Sequence, residues 1–98
     1  MSGLITMDDL TNEEIIAILD DAERLLPVAK GELYLPLLQG RILGNLFFEP
    51  STRTRMSFET AMKRLGGDVV NLGDVKTSSV VKGETLFDTI QMVDGYTD

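Results

Sequence analysis

Cysteine, histidine and tryptophan are all missing from the 98 residues of this chain. Without cysteine there is no disulfide framework and no thiol chemistry, so nothing points to secretion. Without histidine as well, a metal site of the zinc type and a Ser-His-Asp triad within the chain are both excluded. No apolar run approaches the roughly 20 residues of a membrane span, and the N-terminus lacks a signal-peptide pattern. No membrane partner is expected, and the expected location is cytoplasmic. What is present, 43% hydrophobic and 26% charged residues, is the composition of a folded globular chain rather than a disordered one.

Positive charge is also scarce: nine Lys and Arg stand against sixteen Asp and Glu, a net charge of −7. The deficit is uneven. Residues 1–32 carry −6 and residues 65–98 carry −4, whereas residues 41–64 carry +3 through Arg41, Arg53, Arg55, Lys63 and Arg64. The acidic ends read as solvated surface. A short basic cluster in an acidic chain argues against nucleic acid as a partner. The basic middle is either an anion site or the polar face of a helix.

Thr11-Asn12-Glu13-Glu14 has the form of a capping box. The apolar residues Ile15, Ile16, Ile18, Leu19, Ala22, Leu25 and Leu26 follow at helical spacing, until Pro27 ends or kinks the helix. Gly31 to Gly40 reads as a connection. Ile42 to Phe48 is short, apolar and bounded by turn residues, which fits a buried strand stopped by Pro50. Thr54, Phe58, Ala61, Met62 and Leu65 mark the apolar face of a second helix, closed by Gly66-Gly67. Residues 69–72 form a second strand, residues 73–83 a polar stretch. A third helix starts near Thr85, with Leu86, Ile90 and Val93 on its inner face. Helix-strand-helix-strand-helix order predicts an α/β fold with parallel strands and a right-handed crossover. Two strands are few for such a sheet, so the chain is expected to be the start of a larger parallel-sheet domain.

Glu49-Pro50-Ser51-Thr52-Arg53-Thr54-Arg55 lies where a buried strand passes into a helix, the place where open α/β sheets bind ligands. A helix N-terminus there offers unpaired N–H groups and partial positive charge. Ser51, Thr52 and Thr54 add hydroxyls, and Arg53 adds a fork able to pair two oxygens at once. The bland alternative makes Ser51 an ordinary N-cap and both arginines solvated. Three hydroxyls and two arginines in one turn favour a phosphate. Neither a P-loop nor a dinucleotide-binding glycine motif is present.

Residues 47–59, from Phe47-Phe48-Glu49-Pro50-Ser51-Thr52-Arg53-Thr54-Arg55 to Glu59, resemble the carbamoyl-phosphate signature of the aspartate/ornithine carbamoyltransferase family. A second stretch, Ser78-Ser79-Val80-Val81-Lys82-Gly83-Glu84-Thr85-Leu86-x-Asp88-Thr89, is similar to the mobile loop of the aspartate branch. Glu49 runs directly into Pro50, where ornithine enzymes usually place a lysine. Lys82-Gly83-Glu84 stands where those enzymes usually have Arg-Gly-Glu. Both features favour aspartate over ornithine as acceptor.

The resemblance implies carbamoyl transfer from carbamoyl phosphate to the amine of L-aspartate, an early step of pyrimidine biosynthesis, with no cofactor and no metal. It implies that Ser51, Thr52, Arg53 and Thr54 hold the phosphate, with Arg53 and Thr54 polarising the carbamoyl carbonyl. Ser78 and Lys82 match loop residues that reach a neighbouring subunit's site in a homotrimer, Lys82 contacting both phosphate and aspartate. Glu49 and Glu84 match residues that form structural ion pairs, Glu49 with arginines of the second half and Glu84 with the arginine at Arg53. Arg55, Lys63 and Arg64 read as structural or solvated. A regulatory chain is left open. Residues 1–98 are expected to be the N-terminal portion of the carbamoyl-phosphate-binding domain, with the aspartate-binding domain absent and the chain alone inactive. The other readings are the ornithine enzyme and a non-catalytic phosphate-binding module.

Overall fold

The computed structural model describes residues 3–73 and 86–98. It divides into two compact units, Met1–Leu33 and Tyr34–Asp98. Among the described residues no helix is long and apolar enough to cross a membrane.

The first unit is helical. Thr6 and Asp9 cap a single 3-10 turn, Met7–Asp9. Helix α1, Asn12–Arg24, starts at the expected capping box: the Thr11 hydroxyl accepts from the Glu14 N–H at 3.1 Å, and Glu14 accepts from the Thr11 N–H at 3.0 Å. The Thr11 N–H, followed by its hydroxyl, holds the Glu14 carboxyl below its ordinary value. Pro27 does not terminate α1, which stops at Arg24, three residues earlier. It sits instead in the first turn of a short helix α2, Leu26–Ala29, where a missing N–H costs nothing.

The second unit carries the sheet. Strands β1, Ile42–Leu46, and β2, Asp68–Leu72, pair in parallel, with Ile42 opposite Asp68 and Leu46 opposite Leu72. Beyond the last pair, the Phe47 N–H still donates to the Leu72 carbonyl at 3.0 Å, so β1 ends as Phe48 turns toward Pro50. Helix α3, Thr52–Arg64, connects the strands and packs on both; helix α4, Leu86–Tyr96, packs on β1. Alternation along β1 separates the two helices. A Cβ on Gly44 would lie 2.9 Å from Val93 of α4, whereas the next side chain, Asn45, bonds the Arg55 carbonyl of α3. Successive side chains leave opposite faces of a strand, so α3 and α4 cover opposite faces of the sheet. The α/β class and the parallel pairing thus follow the expectation.

The buried faces of the helices differ from the apolar stripes in the sequence. On α3, Met62 is buried as expected, but Phe58 is 55% exposed, and the half-buried positions one and two turns earlier are Glu59 and Arg55. The sheet presents asparagines to α3, so hydrogen-bonding partners face it rather than apolar ones. On α4, Val93 is buried, but Ile90 is 44% exposed, and among the residues whose side chains are described the fully buried one is Thr89, one helical turn before Val93. The inward stripe of α4 therefore runs through Thr89 and Val93, with Thr97 bonding back to the Val93 carbonyl at 2.8 Å.

Candidate functional site

The chain leaves the carboxyl end of β1 through Phe47, Phe48, Glu49 and Pro50, and re-enters regular structure at Ser51, the N-cap of α3. Pro50 removes a ladder donor and forces the turn. Ser51 has non-helical backbone angles (φ −132°, ψ 61°), and its side chain makes no capping bond. The first helical bond of α3 runs from the Arg55 N–H to the Ser51 carbonyl at 2.9 Å. Among the described residues no side chain caps the amides of the preceding residues, Thr52, Arg53 and Thr54. This is the opposite of α1, whose start is closed by a reciprocal box.

Charge follows the same contrast. The first turn of α1 holds Glu13 and Glu14, which suit the positive end of a helix dipole; the first turn of α3 holds no acid. It carries Arg53 instead, with Arg55 immediately after. Cations at this end oppose the dipole, an arrangement that an anion would relieve. Thr52, Arg53 and Thr54 are exposed and Ser51 is half-buried, so the four expected phosphate-binding residues stand together on one accessible turn. The reading of Ser51 as an ordinary cap does not hold.

Beside this turn lies an open cleft of about 480 Å³, lined by Phe47, Phe48, Glu49, Pro50, Thr52, Arg55 and Gly73. The cleft takes Thr52 from the expected set, while Ser51, Arg53 and Thr54 lie outside its lining. It also takes Arg55, which local sequence reasoning leaves as structural or solvated; its i+3 relation to Thr52 is the signal that places it on the same helix face. Glu49 is exposed on the cleft wall and forms no ion pair among the described residues. Ser78, Lys82 and Glu84, expected from the resemblance, lie outside the described residues.

A polar chain behind the turn has no counterpart in the sequence reading. Asn45, buried in β1, donates from Nδ2 to the Arg55 carbonyl at 3.1 Å and to Asn71 Oδ1 at 3.0 Å. Asn71, its partner across the strands, donates to Glu59 Oε1 at 2.9 Å, and Lys63 Nζ lies 3.1 Å from Glu59 Oε2. The Lys63 ammonium, then the Asn71 amide, hold the Glu59 carboxyl below its ordinary value of 4.5, against a smaller opposing effect of burial. A lowered folded-state value means that this tie stabilises the fold above pH 4.5 and is lost as pH falls through the lowered value. In thermal unfolding, wild type should exceed Glu59→Gln most at neutral pH, and the gap should close on acidification below pH 4.5. A gap that stays constant down to about pH 3 would refute the role of this carboxylate.

Residues 3–98 match the family model for the carbamoyl-phosphate-binding domain of aspartate/ornithine carbamoyltransferases. The chain belongs to this family. Over all 98 residues it is 62% identical to the aspartate carbamoyltransferase catalytic subunit of Archaeoglobus fulgidus, covering 33% of that protein. The corresponding subunit of Methanocaldococcus jannaschii is 54% identical, with 32% of its length covered. The chain thus spans about a third of the length of the curated relatives it matches. A crystal structure of the M. jannaschii catalytic subunit superposes with a TM-score of 0.88 over 100% of this chain and 32% of that one. Aspartate transcarbamoylase from Trypanosoma cruzi, in complex with carbamoyl aspartate and phosphate, is 44% identical and also gives 0.88, over 98% of this chain and 31% of that one.

Proposed function

We propose that this chain is the carbamoyl-phosphate-binding part of an aspartate carbamoyltransferase catalytic chain, transferring the carbamoyl group to L-aspartate. The observation that carries the reading is the start of α3: not capped by the Ser51 side chain, free of acid in its first turn, and bearing Arg53 at the carboxyl end of a parallel strand. Three amides and three hydroxyls can meet phosphate oxygens there, and Arg53 can pair two of them. Attack by the aspartate amine gives a tetrahedral intermediate that expels phosphate. Arg53 and Thr54 would stabilise the charge developing on the carbamoyl and phosphate oxygens, so catalysis rests on positioning and electrostatics. The complexes of Trypanosoma cruzi aspartate transcarbamoylase with carbamoyl aspartate and phosphate, and with carbamoyl phosphate and aspartate, support the ligand set.

In this reading Ser78 and Lys82 contact substrate from a neighbouring subunit, Lys82 reaching both phosphate and aspartate. Glu84 pairs with Arg53, and Glu49 with arginines outside residues 1–98. The complete protein is a cytoplasmic homotrimer with shared sites, and residues 1–98 alone are inactive. The test joins these 98 residues to the remaining two thirds of the Archaeoglobus fulgidus relative. Carbamoyl transfer to L-aspartate is expected, the acceptor being bound by the relative's part. Phosphate binding without any transfer would leave the module reading.

A further inference from the structure

We propose that Asn45 is a positioning residue for the anion-binding turn, holding the first turn of α3 in place against the end of β1. The proposal rests on the reading of that turn given above and adds a residue to it.

An amide is a poor choice for the middle of a buried strand. Asparagine is depleted in strands, and a buried amide is unfavourable unless its hydrogen bonds are made. Asn45 is only 4% exposed, yet its Nδ2 makes two bonds, to the Arg55 carbonyl and to Asn71 Oδ1. The first matters most. Arg55 is the residue whose N–H closes the opening helical turn onto Ser51. Asn45 therefore grips the turn that contains Thr52, Arg53 and Thr54, from the sheet side, at its closing residue. Apolar contacts would let a helix slide or rotate on a sheet, because they have no direction; a hydrogen bond to one carbonyl does not.

The second bond supports the first. Asn71 faces Asn45 in the strand register, and its own amide is fixed by Glu59, one turn further along α3. Both strands and two turns of α3 are thus tied by directional bonds just behind the cleft. Small displacements at a binding site weaken it strongly, so a turn that presents backbone amides gains from such a tie.

The test compares wild type with Asn45→Leu, which fills similar space without donors, and Asn71→Ala, a milder change at an exposed position. Amide hydrogen exchange is measured in the joined, complete chain, and inorganic phosphate is titrated by calorimetry. In Asn45→Leu the amides of Arg55, Met56 and Ser57 should exchange at least ~10-fold faster relative to those of Leu65 and Gly67 at the far end of the helix. Phosphate affinity should fall about fivefold or more. A purely structural residue would speed exchange evenly along α3 and both strands, and that result would overturn the proposal. Unchanged phosphate affinity in a folded variant would also overturn it. Should Asn45→Leu fail to fold, Asn71→Ala decides, with a smaller selective effect expected and none refuting. The site reading fails separately, through a wild-type chain that binds no phosphate; the exchange pattern then judges Asn45 by itself.

Discussion

Arg53→Ala in the joined, complete chain is expected to lower kcat/KM for carbamoyl phosphate by about 30- to 1,000-fold, the equivalent of about 2–4 kcal/mol lost from the transition state. The same change should leave the fold intact. Arg53 is exposed and makes no ion pair or hydrogen bond among the described residues, so its removal breaks no described contact. Relief of the helix dipole and loss of the proposed Glu84 pair then oppose each other, each worth at most about 1 kcal/mol, so stability should hardly change. Activity falls while stability holds, the signature of a residue kept for a ligand. Arg53→Lys separates charge from geometry. Lysine preserves the charge but loses the planar fork, so an intermediate loss of about tenfold is expected. Steady-state kinetics alongside thermal unfolding checks all three outcomes. An alanine variant within about threefold of wild type would make Arg53 the solvated surface arginine of the bland reading.

The strand-to-helix turn is legible in the sequence because its chemistry is local. Pro50 stops a strand, Ser51 opens a helix, and the hydroxyls and arginines follow within four residues. The same locality made the Thr11–Glu14 box and the Gly66-Gly67 stop readable. The buried faces were not. Periodicity marks Phe58 as inward because it is apolar, but inwardness is decided by what the sheet offers, and here it offers Asn45 and Asn71. Polar residues of α3 therefore turn inward, and Phe58 instead meets Phe47, with ring centroids 6.4 Å apart. Asn45 looks like a flaw in a hydrophobic strand until its two partners, 10 and 26 residues away, are seen beside it. Arg55 at the cleft belongs to the same class, since its place depends on Gly73 from the far end of β2. Lys82 differs from all of these: local chemistry marks it only as a lysine in a polar stretch, and its expected role comes from the family resemblance alone.

The largest stability effect is expected at Gly66, where α3 must end so that β2 can begin two residues later. Its φ of 84° is left-handed, and the bonds around it close the helix: the Gly66 N–H donates to Lys63 and the Gly67 N–H to Met62, both at 3.0 Å. A side chain here meets two separate penalties. The left-handed backbone costs any residue with a Cβ about 1–2 kcal/mol. The new Cβ would also stand 3.0 Å from Pro36 Cβ, 3.1 Å from Pro36 Cα and 3.3 Å from the Tyr34 hydroxyl. A proline ring and backbone cannot swing aside as a flexible side chain can, so crowding should add roughly 1–2 kcal/mol more. Gly66→Ala should therefore lower the unfolding midpoint by about 10–25 °C. Gly40 supplies the control, because it shares the φ of 84° but has nothing within 4 Å of its would-be Cβ. Gly40→Ala should show the conformational penalty alone, and the difference between the two variants is the crowding at Pro36. Equal losses would mean that the 36–38 segment gives way, although the Leu38 N–H bond to the Leu65 carbonyl at 2.9 Å holds that segment against the end of α3.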